Sequence, residues 1–296
     1  MIRFCALKIC IAILTLFAIA ADISFAEEKA LTAKIIHRGI IDCFPEGLTS
    51  DDGKPVYAET SAIAFDGKQL YFASDKPLPG EGRSVAFSIA QERPFAKVSN
   101  KPLKYLTESP FLTARKFEDF SVTPDRGWIF ATTGFDRIIP DSTKFHPYNT
   151  LMVWPAGKPE DVKIIDRSEI DGVISSIGIR KKLAAGITTG DFPKGVPDFK
   201  IEGLMALPGN KLLFGVREQG KKYDDFAYAI RMIQVDYKVG DNGVTVLGRS
   251  VVAIIHDDDR VLGRDDVKDP ETQFSRKKHQ AAFSVVCFNS NKPKKK

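Results

Sequence analysis

The chain has 296 residues, 43% of them hydrophobic and 27% charged, and carries a formal net charge of +5. That composition excludes a disordered, collagen-like or cysteine-stapled protein and supplies enough apolar residues for a large core. Much of the positive excess is local, in Arg276-Lys277-Lys278 and in Lys292, Lys294, Lys295 and Lys296; no aromatic residue interleaves with the final run, so 289–296 reads as a solvated basic tail and not as a nucleic-acid binder.

In chain order, Arg3 and Lys8 precede an apolar run from Ile9 to Ala21, and Ser24-Phe25-Ala26 is a small-x-small site. This pattern predicts a cleavable signal peptide over 1–26, cut near Ala26, and a periplasmic or secreted mature protein. The run is too short and lacks the flank for a stable membrane anchor. Cys5 and Cys10 fall inside the signal, which leaves Cys43 and Cys287. An oxidising compartment admits either a disulfide between them or two buried thiols.

The mature region, 27–288, is organised by a repeated hairpin. Thr60–Phe65, a turn at Asp66-Gly67 and Leu70–Asp75 form the first copy. Glu118–Val122, a turn at Pro124-Asp125 and Trp128–Thr133 form the second. Ile201–Leu207, Pro208-Gly209-Asn210 and Leu212–Glu218 form the third, with Glu, Pro, a large apolar residue and Phe at the same offsets as in the second. A fourth starts at Ser284-Val285-Val286-Cys287-Phe288. Runs at 84–89 and 104–106 would add two strands to the first hairpin, 151–155 and 162–165 two to the second, and 226–237 and 244–255 two to the third. A hairpin plus two strands, repeated, is the signature of an all-β chain folded as a β-propeller with four-stranded antiparallel blades.

Two features depart from a regular ring. The copies start at 60, 118, 202 and about 283, further apart than the roughly 40–45 residues of a blade. Either divergent blades occupy 137–200 and 219–282, or the ring is incomplete. Apolar residues at 170, 173, 174, 177, 184 and 187 recur at helical spacing, which predicts one inserted helix near 173–187.

In each hairpin the start of one strand lies beside the end of the next. If all three copies are inner hairpins, one mouth of a central channel collects Glu59, Asp75, Glu118, Asp119, Asp136, Arg137, Glu202, Arg217 and Glu218. Such a set suits a hard cation such as Ca²⁺, or acid–base work on an ester; the same residues also read as ion pairs that close the hairpins. The histidines at 37, 146, 256 and 279 are scattered and form no zinc pattern, and no Gly-x-Ser-x-Gly elbow occurs.

The Ile201-Glu202-Gly203-Leu204 and Leu212–Arg217 segments, with Ala64–Gly67 and Ala73–Lys76, resemble the secreted bacterial β-propellers of the esterase-like/phytase-like group. The resemblance covers about 60–255. It implies a site at the channel mouth and, for some members, metal-assisted hydrolysis of phosphoesters or esters. Glu202 and Arg217 match the motif directly, and Glu118 through the internal repeat. On this reading Glu118, Glu202 and Arg217 are catalytic, and Glu118, Asp119 and Glu202 hold Ca²⁺. Glu59, Asp75, Asp136, Arg137 and Glu218 line the ligand site for a small ester or phosphoester. The chain lacks the dense acidic clusters of calcium-dependent phytases. The alternative is a non-catalytic binding or scaffold propeller with the same rim.

Overall fold

Three hairpins set the architecture, and each closes where its turn residues require. The computed structural model describes residues 49–50, 52–55, 59–79, 84–90, 103–240 and 243–253, all within the unit Gly39–Lys296. The signal segment, Cys43, Cys287, the fourth hairpin copy, the 256–281 stretch and the basic tail lie outside them.

The first sheet runs β1 (Thr60–Phe65), β2 (Gln69–Ser74), β3 (Ala86–Ala90) and β4 (Lys104–Tyr105). A short helix, α1 (Ser109–Thr113), leads to the second sheet: β5 (Phe117–Val122), β6 (Trp128–Thr133), β7 (Leu151–Pro155) and β8 (Lys163–Ile164). The third sheet is β11 (Asp198–Leu207), β12 (Lys211–Lys222), β13 (Asp225–Gly240) and β14 (Gly243–Ala253). In all three the strand order equals the chain order and every neighbouring pair is antiparallel. The repeated hairpin followed by two strands is therefore an all-β design of four-stranded meanders.

Turn chemistry explains the closures. Asp66 Oδ1 accepts the N–H groups of Lys68 and Gln69 at 2.7 and 2.8 Å, an Asx turn that reverses the chain at Gly67. Asp125 does the same work between β5 and β6, taking the Thr123 hydroxyl and the Gly127 N–H. At the third turn Gly209 and Asn210 both adopt positive φ, 77° and 56°, the conformations that Gly and Asn tolerate best.

The second sheet is buried on both faces, and period-2 alternation shows it. Along β6 and β7, Phe130, Leu151 and Val153 point into a core shared with Leu204, Leu212, Phe214 and Ile233 of the third sheet. Their neighbours Ile129, Ala131, Met152 and Trp154 point the other way, to Ala62, Tyr71 and Ala73 of the first. The rings of Tyr71, Phe111 and Phe120 each meet the Trp154 indole edge-on, with centroids 5.2–5.8 Å apart. A continuous apolar strand buried on two sides is what these runs encode.

First strands of neighbouring sheets are joined by side chains. Ser61 Oγ donates to the Phe117 carbonyl at 2.6 Å. Asp119 Oδ2 accepts from the Leu204 N–H at 2.7 Å, and Ser121 Oγ from the Ala206 N–H at 2.8 Å. Strand β5 thus lies between β1 and β11.

The inserted helix is shorter than its sequence spacing suggests. Residues 168–170 and 173–175 form a two-stranded hairpin, β9 and β10, and only Ile177–Gly186 is helical, α2. Asp171 and Gly172 both have positive φ, 49° and 76°, the two-residue turn that an Asp-Gly pair favours. Ile170, Val173 and Ile174 were spaced like a helix face but belong to that hairpin; Ile179, Leu183 and Ile187 pack into the core beside the third sheet. Of the intervals expected to hide further blades, 137–200 carries the outer strands of the second sheet, this hairpin and the helix. Among the described residues, no helix is long and apolar enough to cross a membrane.

Asp119 holds two sheets together through a buried acceptor, so Asp119→Ala should cost about 2 kcal/mol of unfolding free energy, against about 1 kcal/mol for Ser121→Ala. Urea denaturation of the two variants checks the order and size of the losses.

Candidate active site

Glutamates 118 and 202 owe their position to bulges. Phe117 faces Thr133 and Asp119 faces Thr132, so Glu118 is an extra residue in β5. Ile201 faces Val216 and Gly203 faces Gly215, so Glu202 is the matching extra residue in β11. Ser61 is its counterpart in β1. A bulge re-aims one side chain out of the pleat. The three repeats therefore share a backbone device, and two of them fill it with carboxylates.

The sequence motif around each glutamate supplies its cation. Lys116-Phe117-Glu118 and Lys200-Ile201-Glu202 are the same Lys-apolar-Glu triplet. The Lys200 ammonium contacts Glu202 closely and lies 3.5 Å from Glu118 Oε1. Lys116 lies 2.5 Å from Asp136 Oδ2 and 3.7 Å from Glu118 Oε1. Arg217 Nη1 is 3.1 Å from Glu202 Oε1, and its other edge grips Glu218. Arg137 forks onto Asp136, Nε to Oδ1 at 2.9 Å and Nη2 to Oδ2 at 2.7 Å. These contacts join four cations and four carboxylates into one chain, Arg137–Asp136–Lys116–Glu118–Lys200–Glu202–Arg217–Glu218. Lys116 and Lys200 were not among the residues expected from the sequence. The triplet shared by the second and third copies was the signal that marks them.

Glu118 is the least exposed of these groups bar Asp136, at 6%. Burial pushes its carboxyl up, from an ordinary 4.5 to about 8, with Glu202 and Asp75 adding to the rise against the pull of Lys200 and Lys116. At neutral pH it holds a proton for much of the time. Asp136 is as buried but behaves oppositely: the Arg137 fork and the Lys116 ammonium overcome its desolvation and hold it below the usual carboxylate range. Desolvation works against the Lys200 ammonium, yet Glu118 and Glu202 hold its pKa above the ordinary lysine value. Two buried carboxyls that share the Lys116 ammonium are thus driven in opposite directions, by desolvation in one and by better-placed cations in the other.

The remaining expected residues divide. Asp75 and Glu59 flank Lys76 at 3.4 and 3.7 Å, at the matching end of the first sheet, and the Asp75 N–H bonds the Glu59 carbonyl at 3.0 Å. Desolvation raises the Asp75 pKa, and the Asp75 charge in turn adds to the rise at Glu118. Asp119 does not join the cluster. Its two oxygens take the Phe120 and Leu204 N–H groups, so it is a structural acceptor between strands.

The expected metal ligands are thus otherwise engaged. Of the proposed ligands Glu118, Asp119 and Glu202, the second is committed to backbone, and the other two already face ammonium and guanidinium groups. Among the described residues no set of three or more His, Cys, Asp and Glu is placed to hold a metal ion. A Ca²⁺ ion needs six to eight oxygen ligands without competing cations, and the residues here do not fit one.

Lysine 200 is 10% exposed at its side chain and separates two carboxyls, so Lys200→Met should destabilise the fold by about 3–5 kcal/mol, as loss of one partner strands buried charge. The pH dependence has a defined sign. Glu118, at about 8, and Asp119, raised by burial to about 7, both bind protons more tightly folded than unfolded. Stability from these groups is full below about pH 4 and declines as pH rises to about 8. The melting temperature should therefore fall between pH 5 and 8, and Glu118→Gln should flatten that slope; scanning calorimetry across the range checks it.

No protein-family model matches the chain, and no curated protein matches it either.

Proposed function

We propose that this chain is an exported β-propeller of the esterase-like/phytase-like kind that hydrolyses an anionic phosphoester, without a metal ion, at the open ends of its first strands. Three consecutive four-stranded meanders with their first strands side by side support the propeller reading. The apolar leader at 9–21 supports export.

One observation carries the chemistry: a buried Glu118, its carboxyl pushed up by desolvation, in the middle of a chain of cations. Counted along that chain with Glu118 neutral, the four cations Lys116, Lys200, Arg137 and Arg217 stand against three carboxylates, Asp136, Glu202 and Glu218. That surplus of one positive charge favours an anionic ester over a neutral one. In the proposed reaction Lys200 and Arg217 hold the phosphoryl oxygens, and Arg217 can do so with a planar fork. A water attacks phosphorus and the bond to the leaving oxygen breaks. Glu118 gives its proton to that oxygen, and Glu202 takes one from the water.

A binding propeller without turnover is the second reading. It is favoured by the contacts of Glu202, which Lys200 and Arg217 both occupy and would have to release before it could accept a proton.

Hydrolysis of 4-nitrophenyl phosphate by the full chain should survive EDTA, and Glu118→Gln should lower kcat by about 10²–10³-fold. Activity abolished by EDTA would sink the metal-free mechanism. An inactive, well-folded protein that binds phosphate would move the assignment to the binding reading.

A further inference from the structure

The rim above the cluster is built from aromatic rings, and the third sheet delivers most of them. Strands β12 and β13 meet at a tight turn, with Lys222 opposite Asp225 and Tyr223 at the tip. Gly220 makes this reversal feasible, because a Cβ there would lie 2.3 Å from the Asp225 carbonyl oxygen. The tip places the Tyr223 ring 4.1 Å from the Arg137 guanidinium, whose surroundings include Tyr148 at 4.6 Å and Phe145 at 5.7 Å. Further along β13, Tyr228 stands 5.9 Å from the Arg217 guanidinium and meets Phe226 edge-on.

These rings are not core. Tyr223 is 50% exposed, Tyr228 66% and Phe226 39%. Phe226 and Tyr228 meet on β13, and Tyr228 adjoins a cation of the buried network; such a pair is unlike single surface apolar residues, which need no explanation. Tyrosine offers a large flat face with few rotamers to freeze, and aromatic pairs gain more than their buried area alone provides. Both guanidiniums belong to the chain of ion pairs that runs through Glu118.

We propose that Phe226 and Tyr228, beside Arg217, form a subsite for an aryl ring, so that the ligand of the cluster is an aryl-bearing anion whose charged group meets Arg217 and Lys200. This rests on the anionic-ester reading and adds what selects the leaving group. The start of β13 is then a specificity element, and it shapes KM more than kcat.

The test is calorimetric titration of the full chain with phenylphosphonate, cyclohexylphosphonate and methylphosphonate, none of which can be hydrolysed at an ester bond. Phenylphosphonate should bind about five- to ten-fold more tightly than methylphosphonate, and Phe226→Ala and Tyr228→Ala should each shrink that gap, Phe226→Ala with methylphosphonate binding unchanged. Equal binding of phenyl- and methylphosphonate would overturn the subsite and leave the cluster standing. Equal gains for phenyl and cyclohexyl groups would overturn the aryl assignment, and so would a Phe226→Ala variant that loses all three ligands alike. Absence of binding by any of the three would overturn the anion site and the subsite together.

Discussion

Strand β5 is the constraint on which the rest depends. It stands between β1 and β11 and pairs by ladder bonds with β6 alone, so the polar groups on its open side need partners from elsewhere. Asp119 and Ser121 answer that need by accepting backbone N–H groups of β11, while its own Phe117 carbonyl accepts the Ser61 hydroxyl. A buried backbone group without a partner costs as much as a lost hydrogen bond. Three sheets are thereby locked edge to edge at their first strands, and their faces close around two cores.

The same packing creates the chemical site. Fixing three first strands side by side brings the bulges of β5 and β11 close enough for a single ammonium, that of Lys200, to lie between two glutamates. Once these side chains are desolvated, no one of them can be treated alone. Glu118 is left with the weakest cation contacts and takes up a proton; Asp136, gripped from two sides, stays charged. Burial raises the cost of unpaired charge, and the division of roles follows from which carboxyl has the better partners.

Helix α2 contributes to the site from behind. Arg180, buried on the helix, donates to the Phe135 carbonyl, to Asn149 Oδ1 and to the Pro197 carbonyl, and lies 3.5 Å from Asp198. Asn149 in turn donates to the carbonyls of Arg137 and Phe145. The loop that carries Asp136 and Arg137 is therefore pinned to the start of β11, where Lys200 begins. Rigid backing of this sort is what holds charged groups within hydrogen-bond reach of each other.

Local chemistry was legible in the sequence where it is written in local residue types. Asp66-Gly67, Pro124-Asp125 and Pro208-Gly209-Asn210 marked the three turns, and alternating apolar runs marked the strands that follow them, so the four-stranded meanders could be drawn before any coordinates. Glu202 beside Arg217 followed from hairpin geometry alone. The 170–176 stretch misled, because a short apolar hairpin around Asp171-Gly172 shares its spacing with a helix.

What the tertiary structure decided were matters of register and burial. A bulge is a one-residue slip between paired strands, and nothing in a single strand reveals it; hence the aim of Glu118 and Glu202 and the exclusion of Asp119 came only from the pairing. Protonation depends on how much water and which charges surround a carboxyl, and those are set by neighbours 80 residues away in sequence, as Lys200 is from Glu118. Sequence alone determined the strands and their turns, because both arise from contacts within a few residues. The folded chain determined which carboxyl is pushed up by burial, which is a counterion and which is a strut, because those differences arise from distances between sheets.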